Sequence, residues 1–373
     1  VSSISGTAVG ISLDNTTGSF SVNGGSISGK TGADGSTTSG IGVFLNNTEG
    51  VSLSNMQLND FSNFAIRGTT VTNFSLLNST IDGSNGSSAA QDEGSVSFDN
   101  LLGSASFTDN DISGGFEDNI VVTNNTGTLD RMTVSGGTIG LNAAATGNDG
   151  ILVESQASAT LNLTVSGVTF EGARGDMVQC NTLGTSTMDC VLEDNTFDNT
   201  HTNIVSGAGG VTLTGGGAGS NITQTYDVSG TTPGAQSFGG AKGNSITINY
   251  VSGAGSATGT VMNNQVGQSG VPGSGSIDGT GILVGASENV VHTATVDSNT
   301  VLGVTGSLSG IELVANTDLA FNATVTNNSV SEMGGFSLAA MYTLFGGAGS
   351  ETGTACLDIR NNVLDASAAT TAG

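Results

Sequence analysis

A six-residue pattern recurs along the whole chain: an apolar residue, any residue, then Gly, Asn, Asp or Ser, two further residues, and another apolar one. It runs as Val22-Asn23-Gly24-Gly25-Ser26-Ile27 and again as Leu53-Ser54-Asn55-Met56-Gln57-Leu58. Further copies open at Leu76, Phe107, Val134, Val165, Leu192, Val261, Val296, Val325 and Ile359, and each closes on an apolar residue. A weaker copy opens at Val228 and closes on Pro233. From Val22 to Ile359 the copies recur about every 31 residues, which is the signature of a repeat architecture. The third position is occupied mostly by Gly, Asn and Asp, the residues that best tolerate a left-handed backbone. One such residue between two short strands bends the chain sharply while both flanking apolar side chains stay inward. Stacked copies should therefore build a polar ladder, largely of Asn, at that turn.

A second strand recurs in many periods, as in Ile41-Gly42-Val43-Phe44-Leu45, Ile151-Leu152-Val153 and Ile311-Glu312-Leu313. Phe321, Ala323 and Val325 alternate with Asn322, Thr324 and Thr326, which is the period of a half-buried strand. A single coil of this kind cannot cover its own inner face and is stable only between neighbours. Asn-Gly hairpin signals are sporadic, which disfavours a sandwich or propeller. The expected fold is all-β: a right-handed parallel β-helix of about twelve coils, forming one domain over residues 1–373. Val1 and the small-residue run 367–373 read as cuts in a larger extracellular protein. The wide spacings between Leu192 and Val296 predict loops projecting from the stack around 207–219 and 234–243.

Composition narrows the function. Charged residues are only 10% of the chain, and six Lys and Arg stand against 31 Asp and Glu, a formal net charge of −25. Nucleic acid is excluded as a partner, because its binding rests on basic side chains. Electrostatic docking to anionic membranes is disfavoured, and no apolar run is long enough for direct membrane insertion. Three cysteines do not make a disulfide framework. Cys180 and Cys190 are expected as small buried residues, with a bridge inside one coil as the alternative.

The segments Gly150-Ile151-Leu152-Val153-Glu154, Phe170 to Asp176, Asn203 to Gly207 and Gly353 to Leu357 resemble right-handed β-helix repeats of bacterial surface and secreted proteins. In the broad sense this is the pectate-lyase-like superfamily; more narrowly, the chain is similar to autotransporter-like and adhesin-like β-strand-repeat proteins. The resemblance implies a fold and a location at the cell surface or outside the cell, but no particular chemistry. Pectin-cleaving relatives would need a basic groove. With Lys30, Arg67, Arg131, Arg174, Lys242 and Arg360 as the only basic residues, that activity is not expected.

Acidic residues precede several of the Ile/Val strands: Asp92 and Glu93, Glu117 and Asp118, Asp149, and Asp176. Stacking would bring Asp118, Asp149 and Asp176 together along one edge, about 5 Å apart per coil. Like charges that close call for a cation, a nearby Arg, or raised carboxyl pKa values. Asp118, Asp149 and Asp176 are therefore the candidate metal ligands, and Ca2+ is the ion that oxygen donors would suit. If the chain is an enzyme, the same three residues with Arg174 are the candidate catalytic set, acting as an acid–base pair on a glycosidic bond. The competing reading makes them turn residues that bond the backbone and point into water. His201 belongs to the next turn of this edge, and His292 is expected to face solvent.

The expected function is that of a non-enzymatic structural or adhesive segment of a bacterial cell-surface or secreted protein. Its partners would be a polysaccharide or host-surface ligand, or neighbouring rods assembled side by side. The alternative is a β-helix that binds or degrades polysaccharide at its acidic edge.

Overall fold

In the computed structural model, which describes residues 3–4, 8–251, 253–306, 308–334, 339–346 and 352–365, the recurring pattern sets the register of parallel strands. Strand makes up 60% of the chain and helix 1%, wound as a parallel β-solenoid of about 11 turns. The chain divides into two compact units, Val1–Asp176 with His201–Asn203, and Met177–Thr200 with Ile204–Gly373. Val1 and the run 367–373 lie outside the described residues.

In the first unit the opening residues stack as Val22, Leu53, Leu76, Phe107, Val134 and Val165, each paired with the next. Their closing residues stack in the same way, from Ile27 through Leu58, Ile81, Ile112 and Ile139 to Phe170. The second unit repeats the arrangement from Leu192 through Val228, Val261, Val296 and Val325 to Ile359. Its closing row is Phe197, Phe238, Val266, Val301, Val330 and Leu364. The weak copy therefore closes on Phe238 rather than Pro233, with residues 230–235 accommodated as a turn before the strand Gln236–Gly239. In keeping with this, Gly230 is the one turn position outside the left-handed region; φ is positive at Gly24, Asn55, Asn78, Asp109, Gly136, Gly167, Asp194, Asn263, Ser298, Asn327 and Asn361.

The polar ladder is split between two positions. At the outer surface of the first unit, Asn78 Nδ2 donates to Asn55 Oδ1 (2.5 Å) and Asn55 Nδ2 to Asn23 Oδ1 (2.7 Å). In the second unit the continuous ladder runs one residue after the turn, inside the coil. Asn195 donates to Gln236, Gln236 to Asn264, Asn264 to Asn299, Asn299 to Asn328 and Asn328 to Asn362, at 2.9–3.1 Å. The second amide hydrogen of Asn264, Asn299 and Asn328 goes to the carbonyl of Val228, Val261 and Val296, respectively. The left-handed residue turns the next side chain inward, and an amide there satisfies backbone groups that the bend leaves without a strand partner.

Three expectations are corrected. Residues 207–219 and 234–243 do not form projecting loops: Val211–Gly215 pairs with both Val178–Thr182 and Ile246–Tyr250. Likewise, Gln236–Gly239 pairs with Thr196–Asp198 and with Asn264–Val266. The wide spacing is strand and turn within the coil. His292 does not face solvent but lies in the core, in phase with Ala294 and Val296. Cys180 and Cys190, both fully buried, are joined in a disulfide, while Cys356 is free and exposed.

Asn299→Ala should lower stability markedly, since it removes the acceptor for Asn264 and the donors to Val261 and Asn328. Each buried group left unsatisfied costs about 1–3 kcal/mol. Asn327→Ala, at the exposed turn, should cost only about 1 kcal/mol, from its left-handed backbone. Urea midpoints would compare them, and equal losses would show that the inner ladder carries no special weight. A thiol reagent should label one cysteine per native chain and all three only after reduction and unfolding; labelling of three in the unfolded, unreduced chain would refute the bridge.

Candidate functional site

The acidic edge forms where the strands Val96–Thr108, Ile120–Asn124 and Ile151–Ser155 enter the first unit's stack. Ile120 pairs with both Val96 and Ile151, so the residues just before these strands are held one above another. The Glu117 amide donates to the Glu93 carbonyl, and the Asn148 amide to the Glu117 carbonyl, each at 2.9 Å. Side chains continue the stacking: the Asp149 amide donates to Asp118 Oδ1 (2.5 Å) and the Asp176 amide to Asp149 Oδ1 (2.6 Å). Asp118, Asp149 and Asp176 are thus brought together as the sequence suggests.

Their setting differs from the solvated turn described above. Asp118 and Asp149 are 0% and 1% exposed, so neither offers an oxygen to a substrate; Asp176 is half-buried. They bond the backbone, but from inside the stack. Among the described residues Asp118 Oδ2 has no recorded donor, and the Asp92 carboxyl beside Asp118 can donate only when protonated. Asp92 is carried there by the excursion containing the 3-10 turn Ala89–Gln91, in a left-handed conformation. Glu93 clasps this excursion, accepting bonds from the amides of Gly35, Ser87 and Ser88.

Burial pushes the Asp118 carboxyl well above its ordinary range; the charges of Asp149 and Asp92 add to this, and the Asp149 amide partly offsets it. Asp149 is raised by burial and by the Asp176 charge, again against the amide bond it accepts. Glu117 is pushed up to about 7, first by burial and then by contact with Asp92. All three shifts run in the direction that favours the protonated carboxyl. Among the described residues, no group of three or more His, Cys, Asp or Glu is placed to hold a metal ion.

Arg174 and His201 serve the adjoining turn. The Arg174 amide donates to Asn142 Oδ1 (3.1 Å), and its guanidinium donates to the Gly147 carbonyl (3.3 Å). His201 Nδ1 accepts the Asn203 amide, and burial followed by the Arg174 charge lowers its pKa. Asn142, missed by the sequence reading, ties this turn together by donating to the carbonyls of Glu117 and Asn148.

Beside the edge lies a groove of about 540 Å³, lined by residues that include Ser84, Asn85, Phe116, Leu141 and Glu171. A second hollow of about 340 Å³ shares Ser113 and Glu171 with it and adds Asp82 and Asp111. These exposed carboxylates also went unread. The signal was present, since they flank the closing Ile81, Ile112 and Phe170 and must face outward by strand alternation.

Comparison with family models, curated proteins and solved structures yields no match to this chain. What the coordinates define is the class, a parallel β-solenoid of repeated coils. No helix among the described residues is long and apolar enough to cross a membrane.

For Glu117, a raised folded-state value means that the protonated form stabilises the fold. That contribution is complete below 4.5 and is lost as pH rises through about 7. Glu117→Gln should therefore gain stability relative to the wild-type chain between pH 4.5 and 8, read from urea midpoints. A constant difference across that range would contradict the raised Glu117 value.

Proposed function

We propose that the chain is a non-enzymatic structural and adhesive segment of a bacterial cell-surface or secreted protein, of the autotransporter-like kind its repeats resemble. The observation that carries this reading is the burial of Asp118 and Asp149, whose carboxyls cap the backbone of successive coils rather than face a substrate. Arg174 likewise spends its guanidinium on the Gly147 carbonyl. Such an edge holds coils together, and a net charge of −25 keeps the surface soluble and free of nonspecific anionic partners.

The groove supports a second reading, in which the same segment holds a polysaccharide. Its hydroxyl, amide and carboxylate lining, with Leu141 40% exposed, offers polar contacts around a small apolar patch. Neutral or cationic sugars suit it better than polyanionic ones.

Incubation of the full chain with neutral and acidic polysaccharides should release no new reducing ends and no unsaturated products. Release that disappears in Glu171→Gln would replace the structural reading with a polysaccharide-degrading one. Retention on a neutral polysaccharide without cleavage, lost in Ser84→Trp, would establish the adhesive groove.

A further inference from the structure

The core of the second unit contains a buried imidazole, that of His292. Met188, Gln224, Ala257, His292 and Phe321 form one inward row, each paired with the next across successive coils. His292 is fully buried. Tyr226 Oη donates to its Nε2 (2.9 Å), and its Nδ1–H donates to the Gly285 carbonyl (3.0 Å). The Gly285 carbonyl fixes a hydrogen on Nδ1, and in the neutral ring this leaves Nε2 as the acceptor for the Tyr226 hydroxyl. Tyr250 and Phe321 meet the ring edge-on, with centroids at 5.1 and 5.6 Å. Tyr226 and Tyr250 are the titratable groups facing it, both held neutral by burial. The carboxylates on the strand of His292, on that of Tyr226 and on the paired strand Ser309–Thr317 are occupied elsewhere: Asp227 with the Thr260 hydroxyl, Asp297 with Thr326, Glu288 with the Gly253 amide and Glu312 with the Thr280 hydroxyl.

We propose that His292 is an acid-sensing device, in which one proton taken up at Nε2 reverses the Tyr226–His292 hydrogen bond, places a charge in the core and opens the coils on either side of it. Once Nε2 carries a hydrogen, Tyr226 Oη must become the acceptor, and its own hydrogen loses the imidazole lone pair. The new charge sits among aromatic rings and aliphatic side chains without a counter-ion, a costly arrangement. Because a solenoid coil is covered only by its neighbours, disrupting one row uncovers the inner faces of the coils beside it.

The direction follows from linkage. Burial lowers the His292 pKa from 6.5 to about 4, with the Gly285 bond opposing it, so the unfolded chain binds the proton first as pH falls. Stability is complete well above 6.5 and is lost progressively as pH falls; at about pH 4 the folded-to-unfolded ratio has dropped by ~150-fold.

The test uses the full chain. Imidazole nitrogen NMR resolves two histidines, and His292 should remain the neutral Nδ1–H tautomer at pH 5.5. A ring that titrates near 6.5 in the folded protein would overturn the proposal. Urea midpoints for wild type and His292→Gln, measured between pH 6.5 and 4, should diverge, with the variant losing less on acidification. Subtracting the two profiles removes the carboxyl contributions, and parallel profiles would also overturn the proposal. If the Gln variant does not fold, His292→Phe keeps the aromatic edge contacts and should show the same flattening. If neither folds, the tautomer measurement alone decides.

Discussion

At Asn55, Asp109, Asp194 and Asn327 the backbone passes through φ of +52 to +57°, a region that disfavours most side chains and that Asn and Asp tolerate. The bend there lets an apolar residue on either side, such as Val325 and Val330, point into the same interior. Everything else follows from repeating that bend in register. Parallel strands pair coil to coil, inward positions form continuous apolar rows, and polar atoms at the bend need partners from the adjacent coil. In the second unit those partners are the buried amides of Asn264, Asn299 and Asn328, each bonded both to the ladder and to a carbonyl.

The first unit meets this requirement at its bends with Ser79 and Asn110, and uses carboxyls at another corner, just before the Ile/Val strands. Asp118 and Asp149 accept backbone amides as an Asn would, but a carboxylate in a buried position brings a charge that the stack does not neutralise with a basic group. Burial and mutual repulsion favour the protonated form of Glu117, Asp118 and Asp149. Acid thus favours this edge, whereas burial of the neutral His292 imidazole makes the second unit respond in the opposite sense. One chain carries two titrating elements of opposite sign, each inside a coil rather than on the surface.

The architecture was legible because it rests on a local pattern that recurs, and the rows from Val22 to Val165 and from Leu192 to Ile359 stack as the pattern implied. Asp118, Asp149 and Asp176 were also placed correctly along one edge, since strand register alone positions them. Their burial was not legible, because it depends on the 86–93 excursion folding over them with Asp92 and Glu93. His292 was misread although Val296 and Ala294 set the phase of its strand; its polarity outweighed the alternation. The strand Gln236–Gly239 was hidden because the Pro233 turn displaced the closing residue from its usual spacing. The groove beside the edge is a tertiary feature, formed by residues from four coils that no single stretch of sequence brings together.

The amide ladder of the second unit also has a direction. From Asn195 to Asn328 each rung gives one side-chain hydrogen to the rung on its C-terminal side, while the second hydrogen of Asn264, Asn299 and Asn328 goes back to a carbonyl of the preceding coil. A coil inserted between any two others would be accepted without redesign if it brought an inward amide after its bend. A coil entering in the reverse sense would set donor against donor. The parallel ladder therefore fixes the sense of every coil relative to its neighbours without fixing how many coils there are.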